Sequence, residues 1–301
     1  MALAQTGVTV EVIVVDNGST PANADLLAQI IDPRAKLITE PRPIGVSLAR
    51  NIGAELASSD WVAFFDDDDF WASYKLRMQL DALAMAPDAK WCIGGTVCVD
   101  PQMRPVISTR MPAQGIPLDE ELLQHNVVSM SDLVVRRDMI FACGAFDGAL
   151  TRFEDWDFVI RLAQQAPCPA VVDRPLSLYL LNAGSATDEI EPMTIALETF
   201  ATLHESLRRE RGVELDWRAP TFWLAFRLGR EGRGADAASV YRQSFGHTHD
   251  PRDLVYSIAS RWFNRTFVTV LSRIYLSRQP REWRRNIREL RDDVASHQSQ
   301  W

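Results

Sequence analysis

Short apolar runs alternate with more polar segments along the first third of the chain. Four runs rich in apolar and β-branched side chains predict strands: residues 10–15, 36–39, 61–65 and 91–99. Three segments between them predict helices: residues 23–31, 46–57 and 73–85. In the second of these, Leu48, Ile52 and Leu56 share one face at helical spacing. Because strands and helices alternate, we predict an α/β fold with a mostly parallel sheet flanked by helices.

The last third of the chain shows helical patterns with few strand signals. We therefore predict an α/β domain over residues 1–190 and a helical C-terminal region over residues 191–301. Four positions in that region have offsets similar to those of one tetratricopeptide helix pair: Leu224, Gly232, Ala237 and Tyr241. A single pair does not establish a repeat, so we interpret the region as a helical appendage.

Two polar clusters follow predicted strands. Residues 16–20 (DNGST) end the first strand, and residues 66–69 (DDDD) end the third. In open α/β sheets, ligands bind in the crevice beyond the carboxyl ends of the strands. Both clusters are therefore expected at one rim of the sheet.

The acidic run lies between two aromatic pairs, whose low polarity would sharpen the repulsion between its carboxylates. In an extended segment, Asp66 and Asp68 would face one side roughly 7 Å apart. A divalent cation between them would remove the repulsion. The alternative is a solvated loop in which Asp69 or Ser73 caps the next helix.

A second acidic cluster, residues 153–157 (FEDWD), opens another predicted helix. Carboxylates in a first turn commonly complement the helix dipole, so a purely structural role and a catalytic role both remain open. Adjacent helical residues diverge by about 100°. Glu154 and Asp155 therefore cannot both face one ligand, and one of them would support the other.

The segments VEVIVVDNGST, GVSLARNIGAELASSDWVAFFDDDDFW and GAFDGALTRFEDWDFVIRLA together resemble the family 2 glycosyltransferases, which have the Rossmann-like GT-A fold. The resemblance covers residues 3 to about 190. It implies an inverting, metal-dependent transfer of a sugar from a nucleotide-diphospho-sugar donor to a saccharide or lipid-linked acceptor. It also implies a place in surface polysaccharide or glycolipid biosynthesis, with Mg²⁺ or Mn²⁺ as the cofactor.

The resemblance assigns roles to matching positions of this chain. Five residues match positions at the nucleotide-sugar: Asp16, Asn17, Arg50, Asp66 and Asp67. Asp68 matches a metal ligand and Asp69 is its rival, while Asp155 matches the general base with Glu154 beside it. Arg50 has a surface role as its alternative, and Trp156 has either acceptor stacking or packing. Three further residues lie near the implied pocket without a firm role: Asn51, Arg136 and Arg137.

The chain departs from the family pattern at two places. The family has a strand and helix upstream of the segment matching ALAQTG, so we expect this chain to lack about one βα unit, through truncation or through a start codon assigned too far downstream. Missing base contacts would then weaken stability and activity. In addition, Asn182 and Ser185 stand in a stretch that is basic or contains His in many members.

Charge and composition limit the partners. The net charge of −8 argues against broad binding of nucleic acid. Residues 252–291 nevertheless contain ten arginines interleaved with aromatic residues. They indicate either a basic amphipathic helix on an anionic membrane or helices that pack on the catalytic domain with solvated arginines. The sequence has neither a bilayer-spanning apolar stretch nor a signal peptide, so we expect a cytoplasmic protein, with a peripheral location at the inner face of the plasma membrane as an option.

Other chemistry is less favoured by the residues. The four cysteines lack metal-site spacing and are interpreted as buried reduced thiols. His247 and His249 fit a surface turn better than a metal site. Two alternative functions stay open: an inactive nucleotide-sugar-binding or scaffold protein, and a sugar nucleotidylyltransferase, although the Gly-rich basic loop that the latter needs is not visible.

Overall fold

The computed structural model describes residues 1–29, 32–109, 111–181 and 190–298. Asn182 and Ser185 lie outside the described residues, as does the C-terminal end of the helix predicted over residues 23–31.

The described strands are β1 (Val12–Asn17), β2 (Ala35–Glu40), β3 (Trp61–Ala63), β4 (Phe70–Trp71), β5 (Trp91–Val99), β6 (Pro105–Ser108), β7 (Val134–Arg136) and β8 (Ala170–Leu180). The first six helices are α1 (Pro21–Leu27), α2 (Val46–Leu56), α3 (Lys75–Met85), α4 (Glu121–Gln124), α5 (Arg137–Ala142) and α6 (Glu154–Gln165). The C-terminal helices are α7 (Ile190–Leu203), α8 (Glu205–Arg211), α9 (Arg218–Glu231), α10 (Gly234–Thr248), α11 (Pro251–Ser277) and α12 (Arg281–Gln298). The predicted α/β class is confirmed, as is the helical C-terminal region.

The strands form two sheets. β1 and β2 pair in parallel, and the larger sheet has the order β3-β7-β5-β8-β4, with β6 on β5. Among the described strand pairs of the larger sheet, only the β5–β8 pair is parallel. The sheet is therefore mixed, and the expectation of a mostly parallel sheet is wrong in this respect. The physical reason is that β5 leads through a short turn straight into β6, without the helix that a parallel connection needs, while β3 and β4 pair antiparallel with the later strands β7 and β8.

The core lies on the central strand β5, every residue of which is buried. Two glycines of β5 leave room for neighbouring side chains. A Cβ atom on Gly94 would lie 2.5 Å from Leu176, and one on Gly95 would lie 2.6 Å from Trp283. Trp283 belongs to α12, so a C-terminal helix lies directly on the central strand.

C-terminal helices share this core. Leu197 and Phe200 of α7 are buried in the same cluster as β5. The backbone N–H and the hydroxyl of Ser73 both donate to Asp293 of α12 at 2.7 Å. The two predicted parts, residues 1–190 and 191–301, therefore pack on one shared core. Whether they are separate domains stays a prediction.

Two smaller expectations have clear outcomes. Helices α9 and α10 form the predicted helix pair, separated by Gly232 at φ +90°. Three cysteines are buried, whereas Cys168 is exposed, so the expectation of burial is wrong for that residue. Within the described ranges, no helix combines the length and apolar character needed to cross a bilayer.

Candidate active site

The loop after β1 is locked against the start of α2. Asp16 is buried and accepts a hydrogen bond from the Ser19 N–H at 2.9 Å. The side-chain oxygen of Asn17, which matches a position at the nucleotide-sugar, accepts from the Ile44 N–H at 2.7 Å and keeps one acceptor site for a ligand. Gly18 has φ +76°, and a Cβ there would lie 2.6 Å from the Pro43 nitrogen. The two segments therefore approach as closely as backbone allows.

Arg50 joins the two acidic motifs. Its guanidinium donates to Asp66 at 2.9 Å and to Glu154 at 3.0 Å, and it lies 5.5 Å from the centre of the Phe146 ring. The side chain is only 12% exposed, so the surface alternative for Arg50 is wrong. One cation thereby links the end of β3 to the first turn of α6.

The acidic run is a turn. The Asp69 N–H donates to the Asp66 carbonyl at 3.1 Å, so the expected extended geometry, with Asp66 and Asp68 on one face, is wrong. The physical reason is that β3 ends at Ala63 and the chain must reverse into β4, which pairs antiparallel with β8. Asp67 and Asp68 are exposed at the tip of the turn. Their carboxylates are open to a ligand.

Asp69 points into the protein instead. It is 4% exposed, and burial raises its pKa to about 8. Neither carboxylate oxygen has a hydrogen bond of good geometry in the described part of the chain, although the nearby Ser131 hydroxyl opposes the rise in the pKa of Asp69. Asp69 and Ser73 do not cap α3, whose N-cap is Tyr74. The capping role in the solvated-loop alternative is therefore wrong, whereas the solvent exposure that it implies holds for Asp67 and Asp68.

The described residues hold no group of three or more His, Cys, Asp or Glu side chains arranged for a metal ion. His247 accordingly belongs to no such metal-ligand group, and its ring stacks on that of Trp217 with the ring centres 4.2 Å apart. The orphaned oxygens of Asp69, next to the exposed carboxylate of Asp68, nevertheless suit a hard cation that takes its other ligands from a bound diphosphate and water.

Helix α6 begins with the second acidic cluster. Its N-cap, Phe153, has a left-handed backbone with φ +58°. Asp155 is half-buried and accepts from the Trp156 N–H at 2.7 Å. Burial, followed by the charge of Glu154, raises the pKa of Asp155 to about 7. Asp157 is paired on the far side with Arg161 at 2.6 Å and His204 at 3.1 Å, so it has a structural role.

Several neighbouring candidates are structural. Trp156 is 1% exposed and donates its indole N–H to the Leu122 carbonyl at 2.6 Å, so acceptor stacking is wrong and packing is right. Asn51 exchanges two hydrogen bonds with the backbone of Phe146. Arg137 donates to the last carbonyls of α2, and Arg136 pairs with exposed Asp138. None of these side chains is directed to a ligand.

Sequence reasoning missed Arg227 and Tyr179. The register that pairs Phe70 with Leu178 brings Tyr179 beside the acidic turn, and Arg227 of α9 donates to its hydroxyl at 3.2 Å. Arg227 is buried, and it opposes the burial-driven rise in the pKa of Asp68. No local pattern signals this residue, because its position depends on how the C-terminal helices pack on the sheet.

Comparisons with known proteins bear on the family and the fold of the chain. Residues 2–109 match the family model described as Glycosyl transferase family 2. The chain is 34% identical over 218 residues to the succinoglycan biosynthesis protein ExoO of Rhizobium meliloti, an alignment that covers 66% of this chain and 62% of ExoO. The chain thus spans less than two thirds of the length of this relative.

A second relative matches a shorter stretch. The Escherichia coli protein named UDP-Glc:alpha-D-GlcNAc-diphosphoundecaprenol beta-1,3-glucosyltransferase WfaP is 34% identical over 79 residues, 26% of this chain and 32% of that protein. Among solved structures, Staphylococcus aureus TarS superposes with a TM-score of 0.53 at 15% identity, covering 89% of this chain and 51% of TarS. The family match and this likeness confirm the GT-A-type fold.

Proposed function

We propose that this chain, which matches the model of glycosyl transferase family 2 over residues 2–109, transfers a sugar from a nucleotide-diphospho-sugar to a hydroxyl acceptor. The observation that carries the proposal is the Arg50 bridge, which ties Asp66 of the acidic turn to Glu154 beside Asp155. The single side chain of Arg50 thereby holds the proposed donor-binding residues close to the candidate base, and a transfer reaction requires that proximity.

Asp155 is the general base in this proposal. It accepts the proton of the acceptor hydroxyl while that oxygen attacks the anomeric carbon and the bond to the diphosphate breaks, which inverts that carbon. A pKa of about 7 suits a base that works near neutral pH. Glu154 is a positioning residue, because its carboxylate is held by Arg50.

The donor occupies the rim between the strand ends. Asp16 and Asn17 contact the nucleotide base, and Asp66 and Asp67 contact the rest of the nucleotide-sugar. Arg50 acts by orienting Asp66.

Asp68 and Asp69 would hold Mg²⁺ or Mn²⁺, since Asp69 offers two buried oxygens without partners among the described residues. When bound, the cation offsets the negative charge of the departing diphosphate. Arg227, beside Asp68, adds a fixed positive charge on the same side. A protein cation and a metal ion would thus both face the leaving group.

The acceptor is proposed by analogy with the relatives. WfaP is named as acting on a sugar joined to diphosphoundecaprenol, and ExoO is named for succinoglycan biosynthesis. We therefore propose a lipid-linked saccharide acceptor in surface polysaccharide or glycolipid assembly. A cytoplasmic protein that touches the inner face of the plasma membrane through its Arg-rich C-terminal helices would meet such an acceptor.

The test is a transfer assay with a panel of nucleotide-sugars, beginning with UDP-glucose, together with Mn²⁺ and a polyprenyl-diphosphate-linked saccharide. Mass spectrometry detects the product and NMR reads its anomeric configuration. Asp155→Asn should retain donor affinity and lose turnover by about a hundredfold or more, the usual contribution of a general base. Asp138→Asn removes an exposed aspartate of α5 and should leave turnover unchanged.

Wild-type turnover by Asp155→Asn would show that another group is the base. Donor binding without turnover of any nucleotide-sugar would favour the alternative of an inactive binding protein.

A further inference from the structure

The N-terminal half of α11 has its apolar side turned outward. Three small polar residues face the protein and are at most 5% exposed: Asp253, Ser257 and Ser260. Four large apolar residues cluster on the opposite side, within an arc of about 100° on a helical projection. These residues, the apolar face of α11, have exposed fractions of 40% for Leu254, 61% for Val255, 62% for Ile258 and 76% for Trp262.

The polar side of the helix is fixed by hydrogen bonds. Asp253 is fully buried and accepts from Arg218 at 3.1 Å, Ser244 at 2.8 Å and Thr248 at 2.8 Å. Ser257 donates to the Ala238 carbonyl at 2.9 Å. Rotating α11 to bury its apolar face would break these bonds and strand a buried carboxylate. The exposure of the apolar face is therefore built into the packing.

The exposed charged side chains of α11 are all positive. Helix α11 contains four arginines and a single acidic residue, the buried Asp253. Arg261 and Arg273 are exposed and form no ion pair with any described residue. Residues 252–291 contain ten arginines and three acidic residues, although the whole chain carries −8. The partner of this surface is therefore anionic as well as apolar.

We propose that the apolar face of α11 lies in the headgroup region of an anionic lipid bilayer, with Arg261 on lipid phosphates and Arg273, beyond a kink at Asn264, adding positive charge to the same helix. Trp and aliphatic side chains flanked by arginine suit this boundary, where apolar groups enter the acyl region and cations stay at its surface. A second copy of the chain fits less well, because a two-fold contact would set the same arginines against each other.

This inference deepens the membrane contact proposed above and rests on it rather than on the transfer reaction. It names the contact surface and the lipid charge that the surface requires.

The test is co-sedimentation of the full chain with phosphatidylcholine vesicles, with and without phosphatidylglycerol. The wild type should bind only the anionic vesicles, and added salt should weaken binding. The double variant Ile258→Ser/Trp262→Ser should bind at least about tenfold more weakly, because it removes two large apolar side chains. Arg261→Gln/Arg273→Gln should also weaken binding, whereas Met85→Ser, which alters an 88% exposed apolar residue on α3, should not.

Circular dichroism melts should be the same for all of these variants, since every altered side chain is exposed. Equal binding by the wild type and the Ile258→Ser/Trp262→Ser variant would overturn the proposal. So would absence of vesicle binding together with a dimer, seen by sedimentation velocity, that this variant abolishes. A chain that binds anionic vesicles but turns over no nucleotide-sugar would sink the transfer reaction and leave this inference standing.

Discussion

Asp155 and Arg50 share one electrostatic environment, and it sets the strength of the proposed base. Arg50 donates to Asp66 and Glu154, and its charge, followed by the N–H of Trp156, favours the ionised form of Asp155. Burial and the charge of Glu154 act in the other direction and raise the pKa to about 7. A single substitution at Glu154 should therefore change the base.

The rate should rise with pH through the titration of Asp155. The carboxyl is protonated and inactive below about pH 7, so kcat/KM should fall about tenfold for each further unit of acid and level off above. Glu154→Gln removes the neighbouring charge and should move the midpoint to lower pH. A pH series of kcat/KM on both proteins measures this.

Unchanged midpoints in the two proteins would show that Glu154 does not act on the base. The matched control is Glu120→Gln, remote in sequence from the site and without an ion pair among the described residues, which should leave the profile unchanged.

Individual site residues were predictable where chemistry and strand ends coincide. Asp16, Asp66 and Asp155 were found because carboxylates follow an apolar run or open a helix. Packing of Trp156 was one of two alternatives given by the sequence, whereas the burial of Arg50 depends on which face of α2 meets the core and was not predictable. The local sequence shows the type and spacing of residues, but it does not show which distant residues each side chain contacts in the folded protein.

At the scale of elements, the loops after β1 and before α2 form one rigid unit. Gly18 closes it, through a positive φ and a close approach to the backbone of Pro43. Asn17 then bonds to the Ile44 N–H, which fixes the segment leading into the helix that carries Arg50. Strain in this unit should reach the donor pocket.

Gly18→Ala should lower the free energy of unfolding by about 2 kcal/mol or more, because it adds left-handed strain and a 2.6 Å contact with Pro43. It should also weaken donor binding, since the segment carrying Asn17 must move. Urea denaturation and calorimetric titration with a nucleotide-sugar measure the two effects.

Gly115→Ala is the matched control. Gly115 has φ +79° with open space around it, so the same substitution adds only the backbone strain, about 1 kcal/mol, and leaves donor affinity intact. Equal losses of stability in both variants would contradict a role for the close approach.

Elements with local signals were predicted and those with distant partners were not. Strands β1, β2, β3 and β5 and the helices between them follow from apolar runs and spacing. Strand β4 has two residues and exists because it pairs with β8, more than a hundred residues later. Such pairing leaves no periodic signal in so short a segment.

At the scale of the whole molecule, α12 is part of the hydrophobic core on the central sheet although it ends the described chain. Trp283 is 5% exposed, lies over Gly95 of β5 and donates its indole N–H to the Ser108 hydroxyl at 3.2 Å. Sequence analysis kept packing of these helices on the α/β domain, with solvated arginines, as one of two alternatives, and Trp283 confirms it for α12. The strand that the helix contacts was not predictable, because the contact joins residues far apart in sequence. Trp283 thus joins parts of the chain that sequence divides.

Two tryptophans of the C-terminal region allow this architecture to be tested. Trp283→Ala removes a buried side chain from the central strand and should cost about 3–5 kcal/mol of unfolding free energy. If the two predicted regions fold as one unit, the variant should still unfold in a single urea transition. Trp262→Ala removes a 76% exposed side chain from the apolar face of α11 and should leave stability within about 0.5 kcal/mol. Separate transitions in the Trp283 variant, one matching the wild-type midpoint, would show that the C-terminal helices are an independent domain and that the sheet does not need them.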